Sequence, residues 1–168
     1  VSYRDSDKVY TCEGSYSFKR VWRVVDACGN VSLSDSVQTI TVSDTSRPVI
    51  INIGEQPANA HKNCEYIIPS LKAVILAASS DNCSAVTWVS QSIDSGTVYP
   101  QTNSIQNIAV TVKVKDACGN QQTKNVTVVI PANNLSVNAG SDKAICLGAT
   151  STLMGNASST AGIQYYNW

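Results

Sequence analysis

Apolar and polar residues alternate with a period of two in short runs along most of the chain. Phe18 to Val25, Val37 to Val42, Ala85 to Val89, Ile108 to Val114 and Val126 to Ile130 are such runs, rich in Val, Ile and Thr. Each is bounded by Gly, Asn, Asp, Ser or Pro. The pattern predicts β-strands, whose successive side chains point to opposite faces of a sheet. Leu71 to Ala78 carries Ala and Leu and tolerates a helix, but its apolar core is one strand long, and it reads as a further strand. No segment has a convincing amphipathic helical period.

The strands are organised by a repeat. Asp26-Ala27-Cys28-Gly29-Asn30 returns unchanged as Asp116-Ala117-Cys118-Gly119-Asn120, a spacing of 90 residues (26 to 116). Each copy follows one alternating strand and precedes another. A period of 90 matches one immunoglobulin-like sandwich of ~100 residues, not a solenoid repeat of 20–50. After the first copy, Ser43 to Pro48 is polar and ends in proline. After the second, Pro131 to Asn134 has the same character. Both read as linkers. The fold class expected is therefore all-β, in tandem immunoglobulin-like β-sandwich domains. Residues 1–45 are the end of one unit, 46–131 a complete unit with Trp88 and Val112 in its core, and 132–168 the start of a third. The spacing Cys146 to Trp168 (22 residues) echoes Cys64 to Trp88 (24 residues), which puts Trp88 and Trp168 on equivalent strands. Both ends read as cuts through a longer repetitive chain, with any export signal outside it.

Composition narrows the setting. Charged residues are 14% of the 168 and the net charge is zero. No basic stripe exists, which argues against nucleic acid as a partner. Hydrophobic residues at 43% suffice for packed cores. No run approaches the ~18 apolar residues of a membrane-spanning helix. Six cysteines occur without a CxxC pair, and His61 is the sole histidine. That disfavours zinc and points to disulfides in an oxidising compartment. No nucleophile motif accompanies His61, so the chain is expected not to be an enzyme, and His61 to be a surface residue.

Phe18 to Asn30, then Gln38 to Val42 and Asp44-Thr45, together with Asp81-Asn82-Cys83, resemble the HYR-like repeats of giant surface adhesins from gliding bacteria of the Bacteroidota. Asn138 to Asp142, Ile145 to Gly148 and Tyr166 to Trp168 resemble the opening of a PKD-like domain from the same proteins. The resemblance covers nearly the whole chain. It implies a secreted, outer-surface location reached by type IX secretion, and a role in cell adhesion and gliding motility. It implies as partners the neighbouring repeats, the secretion and gliding machinery, and an external surface or polysaccharide met through other parts of the protein. The middle unit departs from the pattern, because Tyr99 to Asn103 has no cysteine where the first unit has Cys12.

Strand geometry limits the cysteine pairs. Cys12 and Cys28 flank a strand of about nine residues and should lie ~30 Å apart at ~3.3 Å per residue, against the ~4.4–6.8 Å between Cα atoms that a disulfide needs. The Leu71–Ala78 strand disfavours Cys64–Cys83 in the same way. Sandwich topology puts the loops after the second and sixth strands at one end, so Cys83–Cys118 is the expected bridge, and Cys28 is expected to bond a cysteine preceding Val1. The partners of Cys12, Cys64 and Cys146 stay open.

The same loops hold Asp81, Asn82 and Asp116, and linker Asp44 is expected beside them. Such oxygens suit calcium, a hard cation taking six to eight oxygen ligands. Turns, in which Asp and Asn bond their own backbone around Gly29 and Gly119, are the reading the sequence favours over calcium. Arg20 is in phase with Trp22 and Val24, over the Trp ring or at a break in the alternation. Trp22 and Trp88 read as core positions by alternation, with a sugar platform as the other possibility. Asp35-Ser36-Val37 fits an O-glycosylation pattern of exported Bacteroidota proteins, which marks Ser36. The sequence thus predicts a structural stalk segment. A glycan- or protein-binding module and an accessory domain of a secreted hydrolase are the alternatives, and an exposed aromatic cluster on a sheet face would favour the binding module.

Overall fold

The structure is a computed structural model and describes residues 1–152 and 154–159. Its elements run in the order β1 (Ser2–Asp5), β2 (Val9–Cys12), β3 (Ser15–Arg23), β4 (Ser36–Val42), β5 (Val49–Ile50), β6 (Gln56–Pro57), β7 (Asn59–Ala60), β8 (Glu65–Ile67), α1 (Lys72–Ala77), β9 (Ser79–Ser80), β10 (Thr87–Gln91), β11 (Val98–Pro100), β12 (Gln106–Lys115), β13 (Gln121–Ile130), β14 (Ser136–Asn138) and β15 (Asn156–Ser158). With 45% strand and 4% helix, the chain is mostly β. Each alternating run overlaps a strand, with Val24–Val25 running past the end of β3 and Ala85–Val86 preceding β10. Trp168, expected on a strand equivalent to that of Trp88, lies outside the described residues.

The chain divides into two compact units. The first comprises residues 1–53, 71–92 and 111–125; the second comprises 54–70, 93–110 and 126–168. In the first unit β3 is central, pairing with β1 and β2 along one edge and with β4 along the other, all antiparallel. Also in this unit, β10 pairs antiparallel with β12, with a register shift between Trp88 and Ser90, and β5 pairs with β9. Its core contains Pro48, Ile50, Leu71, Ile75, Ala78, Val112 and Val114. In the second unit β8 pairs with β7 and β11, β13 runs parallel to β6, and β14 pairs with β15. Its core contains Ala58, Ile68, Val110, Val126, Val128 and Ile130.

Leu71 to Ala78 is not a strand. Its middle forms α1, and Leu71, Ile75 and Ala78 are the buried positions. Spacings of four and three put these on one helical face, whereas a strand would have buried alternate residues. The Ile75 and Ala78 N–H groups donate to the Leu71 and Val74 carbonyls, and Ala and Leu offer little resistance to helix. The second correction is Trp88. It is half-buried beside Val114, while Val112 is fully buried as expected. On an edge strand next to a register shift, a ring of that size is covered on one side only.

The face of β3 carrying Tyr16, Phe18, Arg20 and Trp22 is aromatic. Tyr3 lies 5.3 Å from the Trp22 ring and Tyr10 5.6 Å from Tyr16, centroid to centroid. The Arg20 guanidinium stacks 4.2 Å over Tyr3 and binds both Asp5 oxygens, at 2.8 and 2.9 Å. Arg20 therefore keeps the alternation and is neutralised in place. Asp5 lies below its ordinary pKa through the Arg20 hydrogen bond, and Arg20 above its own through Asp5.

Candidate metal centre

The repeated pentapeptide folds into the same loop twice. In the first copy, Asp26 Oδ1 accepts from the Cys28 and Asn30 N–H groups at 2.9 and 2.8 Å, and Asn30 Nδ2 donates to Oδ2 at 2.8 Å. In the second, Asp116 Oδ1 accepts from the Asn120 N–H at 2.8 Å, and Asn120 Nδ2 donates to Oδ2 at 2.7 Å. Each loop also closes by a bond from the Asp N–H to the Asn carbonyl. Each glycine sits at positive φ, +86° and +90°, where a Cβ would be strained. The carboxylate is thus the organiser of its own turn, which is why Asp and Asn occupy the ends of the motif.

Their surroundings differ. Asp26 is exposed, but Asp116 is 2% exposed. Burial alone would raise the Asp116 carboxyl, yet donation from the Asn120 side chain and from the Asn120, Cys118 and Gly119 N–H groups outweighs it and holds the carboxyl below its ordinary value. Asp26 is lowered in the same way, chiefly by the Asn30 side chain.

Asp44 and Asp81 come to the second loop from either side. The Asp44 N–H donates to Ser15 Oγ at 2.7 Å, and its Oδ1 accepts from the Ser46 N–H at 3.0 Å. Asp81 Oδ2 accepts from the Cys83 and Ser84 N–H groups at 3.0 and 3.1 Å. Ser84 Oγ in turn accepts from the Ala117 N–H at 3.1 Å. Asn120 Nδ2 reaches the Asp44 carbonyl as well, at 3.2 Å. The result gathers one oxygen of Asp44, of Asp81 and of Asp116 within 4.8 Å of one another. Turn chemistry leaves two oxygens over: among the described residues, Asp44 Oδ2 and Asp81 Oδ1 are buried without a nitrogen or oxygen hydrogen-bond partner, with the Cys83 thiol beside Asp44. Two ligands on opposite sides of a calcium ion, at ~2.4 Å each, lie ~4.8 Å apart. Three carboxylates gathered at that spacing, two of them with an unpartnered buried oxygen, suit a hard divalent cation. Asn82, expected with them, is exposed.

The bridge expected between Cys83 and Cys118 is not formed. Cys118 is bonded to Cys12, with Cα atoms 5.2 Å apart and a sequence separation of 106. Cys83 is a half-buried free thiol beside the same loop, pushed up in pKa by burial and by the Asp44, Asp81 and Asp116 carboxylates. The two loops meet through Ala117 and Ser84, and the turn after β2 packs against Cys83. Gly14, at φ +85°, turns the chain between β2 and β3, and a Cβ there would lie 2.7 Å from Cys83 Cβ. The turn carries Cys12 to Cys118. Ser15, 5% exposed, is the hinge of the contact: its hydroxyl lies 3.4 Å from Cys118 Sγ, a disulfide sulfur with no proton, so the hydroxyl donates. The Glu13 carbonyl lies 3.3 Å from the same sulfur. Nothing in the local sequence around Cys12 announced this beyond the small Gly14-Ser15 pair, which the structure places half-buried and buried.

The remaining expected sites are peripheral. Cys28, Cys64 and Cys146 are exposed free thiols. Ser36 is exposed at the start of β4, next to Asp35, which pairs with Arg23 at 3.1 Å. His61 is exposed. Compared with known proteins, the chain matches no family model, no curated protein and no solved structure.

Proposed function

We propose that the chain is a load-bearing segment of a secreted surface adhesin, built from tandem immunoglobulin-like sandwich units (1–45, 46–131 and 132–168), with no catalytic role. The observation that carries this reading is the staple itself. A disulfide joins residues on the two sides of the Ser43–Pro48 linker, and next to it sits a three-carboxylate cluster suited to calcium. Such a junction resists extension, the property a stalk needs. The calcium ligands in this reading are Asp44, Asp81 and Asp116, with the Asp44 Oδ2 and Asp81 Oδ1 lone pairs directed to the ion. By the resemblance of its repeats, the segment would sit on the cell surface of a gliding bacterium, its neighbours being further repeats of the same chain.

The aromatic face of β3 favours a second reading, a glycan- or protein-binding module, since stacked rings suit sugars. One observation weighs against it. By the 90-residue spacing, Arg20, Trp22 and Val24 correspond to Val110, Val112 and Val114, all fully buried. The aromatic face therefore occupies positions that the second copy uses for packing. The test of the stalk reading is a glycan array together with calcium calorimetry. The stalk reading expects no glycan retention and a saturable calcium isotherm that Asp81→Asn abolishes. Retention that is lost in Tyr3→Ala would replace it with the binding module.

A further inference from the structure

We infer that the Asp26–Asn30 loop is a docking site for a β-hairpin of the Cys12–Ser15 kind from another repeat, captured through Cys28. The same five residues, 90 positions on, hold such a hairpin in this structure, with Cys118 bonded to Cys12 and touched by Glu13 and Ser15. The first loop has the same hydrogen bonds, the same positive-φ glycine and the same net lowering of the Asp carboxyl. In the first loop, which is more exposed, Cys28 is a free and exposed thiol. The partner is specified by the chemistry of the filled loop. It needs a thiol on the strand entering a tight turn, a glycine where Gly14 has φ +85°, and a serine three residues beyond the thiol to donate to the loop sulfur.

Bond formation joins two thiols and needs a two-electron acceptor. A small-molecule disulfide such as oxidised glutathione supplies it. Cys28 first displaces one glutathione to give a mixed disulfide. The hairpin thiolate then displaces the second glutathione, so that one disulfide forms, one is reduced and two glutathione thiols leave. The inference builds on the repeat reading above. It is read out at the loop alone, so it can fail while the Cys12–Cys118 staple stands, and the reverse.

The experiment uses the intact oxidised chain and a synthetic peptide with the sequence of residues 8–19, incubated in a glutathione redox buffer and mapped by mass spectrometry. Cys28, Cys64 and Cys146 are all exposed, so simple access labels them alike. The expected result is capture at Cys28 on the order of tenfold faster than at either other thiol, the edge that one or two net hydrogen bonds provide. It should vanish with a scrambled peptide and fall to the level of Cys64 and Cys146 in Asn30→Ala, which opens the loop. Equal labelling of the three cysteines, or a preference for Cys28 that survives Asn30→Ala, overturns the inference.

Discussion

Cutting the Cys12–Cys118 bond should both lengthen the chain under force and destabilise it. The bond spans 106 residues. Fully extended, a residue contributes ~3.3–3.6 Å, so the staple withholds roughly 350–380 Å of contour length from any pull applied outside it. In the chain-entropy picture, closing a loop of that size removes about 5 kcal/mol from the unfolded state's advantage, and measured bridges typically deliver about 2–4 kcal/mol. The perturbation is Cys118→Ser, which keeps a small polar side chain near Ser15, with the freed Cys12 thiol alkylated so that it cannot bond the nearby Cys83. Single-molecule extension of the oxidised parent should show total unfolding lengths shorter than those of Cys118→Ser by that amount. A phosphine reductant should convert the parent into the variant. Urea denaturation should show a midpoint drop matching a loss of about 2–5 kcal/mol. Equal contour lengths with and without reductant would refute the pairing. An equal midpoint with different lengths would leave the staple in place and refute its thermodynamic role.

Chelation separates an ion site from a set of turns. With calcium bound, EGTA should lower the melting temperature, and Asp81→Asn should lower it in the presence of calcium and remove the response to EGTA. Without an ion, Asp81→Asn relieves repulsion among three close carboxylates and raises the melting temperature instead. Acid should unfold the loops in a defined window. Asp116 and Asp26 both lie below the ordinary value of 3.8, so their contribution is complete above that value and disappears as pH falls through the lower folded value. Melting temperature plotted against pH should drop there, with a shallower acid limb in Asn120→Ala. Cys83 should be the slowest of the free thiols to react with iodoacetamide at pH 8, since its raised pKa and half-burial keep it protonated and covered. Gly14→Ala should cost stability and expose Cys83 to the same reagent, because the turn needs positive φ and the added Cβ meets Cys83.

The sequence by itself determined whatever is decided within a few residues. Strand positions follow from alternation, because a period of two is a property of the local backbone and one covered face. The Asp-Ala-Cys-Gly-Asn turn closes inside its own five residues, so its two copies could be recognised as the same object before any fold was known. The convergence of Asp44, Asp81 and Asp116 was legible at one remove, through the topology that the repeat implied. Tertiary structure alone decided the rest. Leu71 to Ala78 became a helix because what covers it buries positions 71, 75 and 78, and a short apolar run carries no period of its own to say so. The choice of Cys12 over Cys83 as the partner of Cys118 turned on a few ångströms between side chains far apart in sequence. A disulfide needs Cα atoms within ~4.4–6.8 Å. The packed position of the turn, with Gly14 against Cys83 and with Glu13 and Ser15 against Cys118, brought Cys12 within that reach of Cys118.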